Sequence, residues 1–234
     1  MTAARLGILG GTFDPIHCGH IDAGAAAQAA LALDEILVVP SNIPPHRPPP
    51  VASSHHRFAM AALAIAGRSR WRAMDLELGE PVKSYTADTL RRLHAGGFSA
   101  FELFFITGAD AFIEIATWKD YPAVLDLAHF AVVSRRGVSA GEVLKRLPSL
   151  ADRMRTAVHT PDEKTDPTVR LKPDPTYGGT SDGTLIFLIG APTADVSSTA
   201  IRQARAEGRS IAGMVPLMVQ QHIEQHRLYP SAAP

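Results

Sequence analysis

Apolar residues in this chain fall into short blocks separated by Ala-rich or amphipathic stretches. Leu6, Ile8 and Leu9 form a run short enough for a buried parallel strand, and Gly10-Gly11 then allows a tight turn where a Cβ would collide. From about Cys18 the chain is rich in Ala and Leu, the strongest helix formers, so the turn feeds a helix N-terminus. Glu35 to Val39 is a second β-branched run stopped by Pro40, which makes a strand–helix–strand unit of right-handed parallel type. Further strands are expected at Trp71–Leu78, loosely alternating as suits a strand near an edge, at Phe101–Thr107, at Ala128–Ser134 and at Leu185–Ile189. Helices are expected after Ser53, after Tyr85-Thr86 with Asp88 in the first turn, at Ser197-Ser198-Thr199, and from Pro216. Between 138 and 184 a short amphipathic piece, G-E-V-L-K-R-L, leads into a Pro-, Asp- and Gly-containing stretch with little periodicity, expected to be irregular and mobile.

The alternation predicts an α/β fold: a single Rossmann-like domain spanning 1–234, with an open, mostly parallel sheet, helices on both faces and a C-terminal helical part at about 195–229. A chain of 234 residues buries a substantial core. Lys plus Arg equal Asp plus Glu at 23 each, so the broad basic footprint of a nucleic-acid binder is absent and any phosphate site must be local. No run approaches the roughly 20 apolar residues a membrane span needs, and the N-terminal residues lack a long apolar leader. A cytoplasmic protein is expected. The single cysteine, Cys18, suits a reducing compartment and reads as a small buried thiol rather than a nucleophile.

The chemistry concentrates in Leu6–His20, L-G-I-L-G-G-T-F-D-P-I-H-C-G-H. A strand running through a glycine turn into a helix presents free N–H groups and the positive dipole end to whatever lies above the strand. His17 and His20 face the same side, where they can hold a metal, sit in a polar turn or donate to phosphate; without a Cys pair or His-Glu-x-x-His spacing, phosphate handling is favoured. A second helix start, Ser197-Ser198-Thr199 with Arg202 one turn on, offers hydroxyls, N–H groups and a guanidinium together. Asp110, just past a strand end, is placed to accept ribose hydroxyls, and Trp118 can stack on a flat ring or simply fill core. The Ser41–Pro50 loop, S-N-I-P-P-H-R-P-P-P, lies at the ligand-binding edge of the predicted sheet. Arg57 reads equally as a surface charge or as a residue reaching the site.

The string G-G-T-F-D-P-I-H-C-G-H is neither a Walker loop nor the Gly-x-Gly-x-x-Gly fingerprint, which disfavours a dehydrogenase. It resembles the His/Thr-x-Gly-His signature of the nucleotidyltransferase superfamily and, more narrowly, the opening of the bacterial nicotinate-nucleotide adenylyltransferases. P-P-H-R, S-Y-T-A-D-T-L, the Gly108-x-Asp110 then Trp118 order, V-S-S-T-A-I-R and the closing helix are similar to that family in turn, with Arg47 for lysine and Arg136 for proline as departures. The resemblance implies adenylyl transfer from ATP to nicotinate mononucleotide, with Mg²⁺, in NAD biosynthesis. It implies ATP contacts from Gly10, Gly11, Thr12, Phe13, His17, Gly19, His20, Gly108, Asp110, Ser197, Ser198, Thr199 and Arg202. His20 would meet the α-phosphate, and His17 and Arg202 the β- and γ-phosphates. Mononucleotide contacts would come from His46, Arg47, Tyr85, Thr86, Trp118 and Lys119.

Two rivals remain: phosphopantetheine adenylyltransferase on the same scaffold, and a non-catalytic nucleotide sensor. The middle motifs speak against the first. The full set of donors aimed at a leaving group speaks against the second.

Overall fold

The computed structural model describes residues 4–45, 48–79, 82–135, 137–158 and 183–230. Its sheet has seven strands in the order β3-β2-β1-β4-β5-β7-β6. These are β1 Leu6–Gly11, β2 Glu35–Pro40, β3 Trp71–Ala73, β4 Leu103–Gly108, β5 His129–Val133, β6 Met154–Val158 and β7 Ile186–Gly190. Every pairing is parallel. The helices are α1 Cys18–Leu31, α2 Ser54–Ala64, α3 Thr86–Ala95, α4 Ala109–Phe112, α5 Ala140–Arg146, α6 Ser198–Ala206 and α7 Leu217–Gln225.

Strand periodicity of two divides the core into two layers. Leu9, Ile36, Val38, Phe104, Ile106, Ala131, Val133, Phe187 and Ile189 face one way, toward α1, α2, α6 and α7. Leu6, Ile8, Leu37, Val39, Leu103, Phe105, Phe130, Val132, Ile186 and Leu188 face the other, toward α3 and α5. A strand buried on both faces has no polar alternation, which is why the central strands read as continuous apolar runs. Trp71 packs so closely over α1 that a Cβ at Gly24 would lie 2.4 Å from its ring.

The predicted architecture holds, with three corrections. The third strand stops at Ala73, and residues 76–78 form a turn closed by Leu78 N–H donating to the Asp75 carbonyl. The fourth begins at Leu103, because Ser99–Glu102 close a turn that leaves Phe101 exposed. The 138–184 stretch is not irregular where it is described: Ser139 caps α5, a 3₁₀ turn covers Pro148–Arg153, and β6 pairs with β7 as an edge strand. An edge strand reading M-R-T-A-V needs few apolar residues, which hid it from hydrophobic patterning. The mobility expected for 159–182, and the Arg136 departure, lie outside the described residues. No helix among the described residues is long and apolar enough to cross a membrane.

His129 opens β5 inside this core. Its Nδ1 accepts the Leu185 N–H at 2.9 Å and its ring stacks on Phe104. Burial first, then Arg5 and Arg153, push its pKa down to about 4. The native ring therefore stays neutral to about pH 4, whereas the unfolded chain protonates below roughly 6.5, so the unfolded state binds more protons between those values. Stability is expected to fall by roughly 3 kcal/mol as pH drops through that window and to level off below it. Denaturant midpoints should show the loss in the wild type and a flatter profile in His129→Asn, which keeps an acceptor near the Nδ1 position. An unchanged profile in the variant would exclude His129 as its source.

Candidate active site

The first motif is built by the β1–α1 turn. Phe13, buried, has φ 52° in the left-handed region, and its ring lies edge-on to His20 with centroids 5.0 Å apart. Gly11 makes room for it, since a Cβ there would sit 2.8 Å from the ring. At Gly19 a Cβ would lie 2.8 Å from the Ala194 carbonyl oxygen, so only glycine lets the first turn of α1 pack against the segment entering α6. That segment is also tied by Ala194 N–H to the Asp22 carboxylate on α1, at 2.9 Å.

His17 is the N-cap of α1, and its backbone N–H donates to His20 Nδ1 at 3.2 Å. An accepting Nδ1 leaves the proton of the neutral imidazole on Nε2, so His20 can present an Nε2–H donor. Arg135 Nη2 lies 3.3 Å from His17 Nε2. A guanidinium only donates, so this nitrogen of His17 is the acceptor of that contact. The two rings stack at 3.6 Å and 24°. The cap thus fixes the His20 tautomer.

The second motif meets the first. Ser197 caps α6 by accepting Ala200 N–H at 3.1 Å, while Ser198 Oγ donates to the Pro15 carbonyl at 2.9 Å. Arg202 Nη1 donates to the Asp14 carbonyl at 2.7 Å, and its Nη2 lies 3.4 Å from Thr199 Oγ1. Between the two helix starts opens a cleft of about 640 Å³ lined by Thr12, His17, His20, Asp110, Arg135, Ser197, Ser198, Thr199 and Arg202. A narrower recess of about 200 Å³ runs from it along Gly10, Gly11, Phe13, Gly19, Gly108 and Asp110.

Beneath the cleft, buried Asp14 accepts Val51 N–H at 2.8 Å, Ala52 N–H at 3.0 Å and the Tyr229 hydroxyl at 2.9 Å. Burial and the neighbouring carboxylate push the Tyr229 phenol up, which keeps it a donor. Arg57, 1% exposed, donates to the carbonyls of Thr12, Asn42, Ala52 and Ser41. The even choice between surface and site resolves to neither: Arg57 is a buried brace joining the turn after β1 to the loop after β2.

On the other side of Gly10–Thr12, a cleft of about 230 Å³ reaches Thr86 and Trp118 and adjoins one of about 140 Å³ lined by Tyr85, Thr86, Trp118 and Lys119. Trp118 meets Phe105 and Phe130 edge-on and is half-buried, so it is core and rim at once. Lys119 Nζ binds Asp88 at 2.8 Å and lies 4.8 Å over the Tyr85 ring. His46 and Arg47 lie outside the described residues.

Arg135 escaped the sequence reading although it lines both phosphate-side clefts. Its position just beyond the C-terminal end of β5, equivalent to Asp110 after β4, was the available signal. Burial and Asp22 push the Cys18 thiol up, away from nucleophilic character.

A parallel sheet whose C-terminal edge brings two helix starts, two histidines and two arginines onto one cleft defines a nucleotidyltransferase-type α/β protein. The family model described as Cytidylyltransferase-like matches residues 8–204. A protein from Desulfatibacillum aliphaticivorans named "Probable nicotinate-nucleotide adenylyltransferase" is 36% identical over 96% of this chain and 99% of its own length. A protein of the same name from Roseiflexus sp. (strain RS-1) is 36% identical over 98% and 100%. The structure of Plasmodium falciparum nicotinic acid mononucleotide adenylyltransferase complexed with NaAD aligns with a TM-score of 0.67 at 18% identity, over 97% of both chains. The chain belongs to the nicotinate-nucleotide adenylyltransferase family.

Proposed function

We propose that this enzyme transfers the adenylyl group of ATP to nicotinate mononucleotide, giving nicotinate adenine dinucleotide and pyrophosphate, as a cytoplasmic step of NAD biosynthesis. A phosphate oxygen of the mononucleotide bonds to the α-phosphorus of ATP as the bond to the pyrophosphate oxygen breaks. A phosphate monoester, with a second pKa near 6, is already largely ionised near neutrality, so the reaction needs positioning and charge neutralisation rather than a general base.

The observation that carries this reading is the pair of helix N-termini facing one cleft. In it His20 Nε2–H meets the α-phosphate, while His17, Arg202, the Ser197–Thr199 turn and Arg135 hold the β- and γ-phosphates. Because Arg135 donates to His17 Nε2, a phosphate displacing that contact would need the His17 ring to present a donor, by taking up a proton or changing tautomer. Gly10–Phe13, Gly19, Gly108 and Asp110 line the nucleoside recess, with Asp110 accepting ribose hydroxyls. Tyr85, Thr86, Trp118 and Lys119, together with His46 and Arg47, take the mononucleotide, whose carboxylate meets the α3 N-terminus.

Mg²⁺ enters on the triphosphate. Among the described residues no group of three or more His, Cys, Asp or Glu could cage it, which fits an ion that takes most of its ligands from phosphate and water. When bound, it neutralises charge on the leaving pyrophosphate.

Pyrophosphate release from Mg-ATP, with nicotinate mononucleotide, nicotinamide mononucleotide and phosphopantetheine supplied separately, tests the reading. Turnover of the first at well above the efficiency of the second is expected. Turnover of phosphopantetheine alone would keep the chemistry and overturn the substrate, and silence with all three would favour a sensor.

A further inference from the structure

Three histidines gather where α7 packs on α2, and none of them lines a cleft of the active site. His56 stands in the first turn of α2, His222 in the last turn of α7, and His226 is the C-cap of α7. The His226 N–H donates to the His222 carbonyl at 3.1 Å, so a regular helical turn sets these two side chains on one face.

His56 Nδ1 lies 3.1 Å from His222 Nε2. Two imidazole nitrogens at that spacing can share one hydrogen, and they can also share one ion. With metal–nitrogen bonds of about 2.0–2.1 Å the pair would subtend roughly 95–102° at the ion, between the octahedral and tetrahedral angles. The ring centroids are separated by 5.2 Å for His56–His222, 4.9 Å for His56–His226 and 4.4 Å for His222–His226. Three imidazoles bound to one ion at such angles place their centroids roughly 4.5–5.2 Å apart, so the trio sits at or within ligand spacing. Among the described residues no three such side chains form a finished cage. Here two nitrogens already hold the spacing, and the third belongs to an exposed ring at a helix end, free to turn and complete the set. Burial first, then His226 and His56, lower the His222 pKa, which keeps its lone pair available near neutrality.

We propose that His56, His222 and His226 form a binding site for a divalent transition ion of the kind imidazole favours, such as Zn²⁺, and that the ion ties α2 to α7. It replaces the hydrogen shared by His56 and His222, and the ring that donated that hydrogen carries its proton on its far nitrogen instead, so both imidazoles stay neutral. Water fills the remaining position. The neighbours define the role. The residue after His56 is the buried brace Arg57, and three residues past His226 comes Tyr229, whose hydroxyl donates to Asp14. An ion across the two helices stiffens the support beneath the phosphate cleft without meeting substrate, so the site stands apart from the reading of the reaction.

The test is titration of the untagged, metal-stripped full chain with Co²⁺, read by its visible absorption, followed by displacement with Zn²⁺ and by urea unfolding with and without Zn²⁺. One Co²⁺ per chain is expected to bind and to be displaced by Zn²⁺. At about 100 times its dissociation constant, Zn²⁺ should lower the unfolding equilibrium constant about a hundredfold. His226→Ala changes an exposed side chain and should leave ion-free stability and turnover at wild-type values, yet weaken the ion about tenfold or more. His222→Gln should abolish binding at the same concentrations; should that variant fail to fold, His226→Ala alone decides. His20→Ala should keep the Co²⁺ absorption. Absence of saturable binding, affinity and Zn²⁺ stabilisation unchanged in His226→Ala, or loss of the absorption in His20→Ala, which would place the ion on the active-site histidines, each overturns the proposal.

Discussion

His20→Ala should lower kcat by about a hundred- to a thousandfold, the usual cost of one preorganised donor to developing charge. The fold should survive, because His20 is only half-buried and the sheet does not depend on it. What is lost structurally is the capping contact from the His17 N–H to His20 Nδ1, worth about 1 kcal/mol, together with the ring contacts to His17 and Phe13. The backbone donors of α1 remain, so ATP binding should weaken far less than turnover. Single-turnover pyrophosphate release with a parallel denaturation curve checks both halves of the expectation. Near-normal turnover by the folded variant would remove His20 from the chemistry.

Asp14→Ala should have the largest effect on stability, about 3–5 kcal/mol, because it strands three donors at once and leaves buried Arg57 without its strongest compensating charge. The damage should spread to activity, since the Asp14 and Pro15 carbonyls anchor Arg202 and Ser198. Asp14→Asn keeps an acceptor oxygen and should fall between the two. Urea midpoints measured with the pyrophosphate assay would decide. A variant within about 1 kcal/mol of the wild type would show that the turn is held by its other contacts.

Most of the candidate site's lining was legible in the sequence because it sits in contiguous motifs. Gly10 to His20 and Ser197 to Arg202 are each read from one strand end or one helix start, and local signals such as caps, Ala-rich stretches and glycine pairs suffice for that. Residues whose roles depend on distant partners were not legible. Arg57 serves carbonyls in three separate segments, and Asp14 collects donors from residues 51, 52 and 229. Arg135 needed the strand order, since only the placing of β5 beside β4 brings it to His17. β6 failed for a different reason: at an edge, the sheet supplies the pairing and the sequence need not advertise it.

The Tyr229–Asp14 bond spans 215 positions of the chain. Translation makes Asp14 first, so the turn beneath the cleft is synthesised 215 positions ahead of the hydroxyl that clasps it. Until Tyr229 leaves the ribosome, the nascent protein has both helix-start motifs but lacks the hydroxyl that ties down Asp14 beneath them. A polypeptide terminated anywhere between the two residues would carry the β1–α1 turn without its clasp.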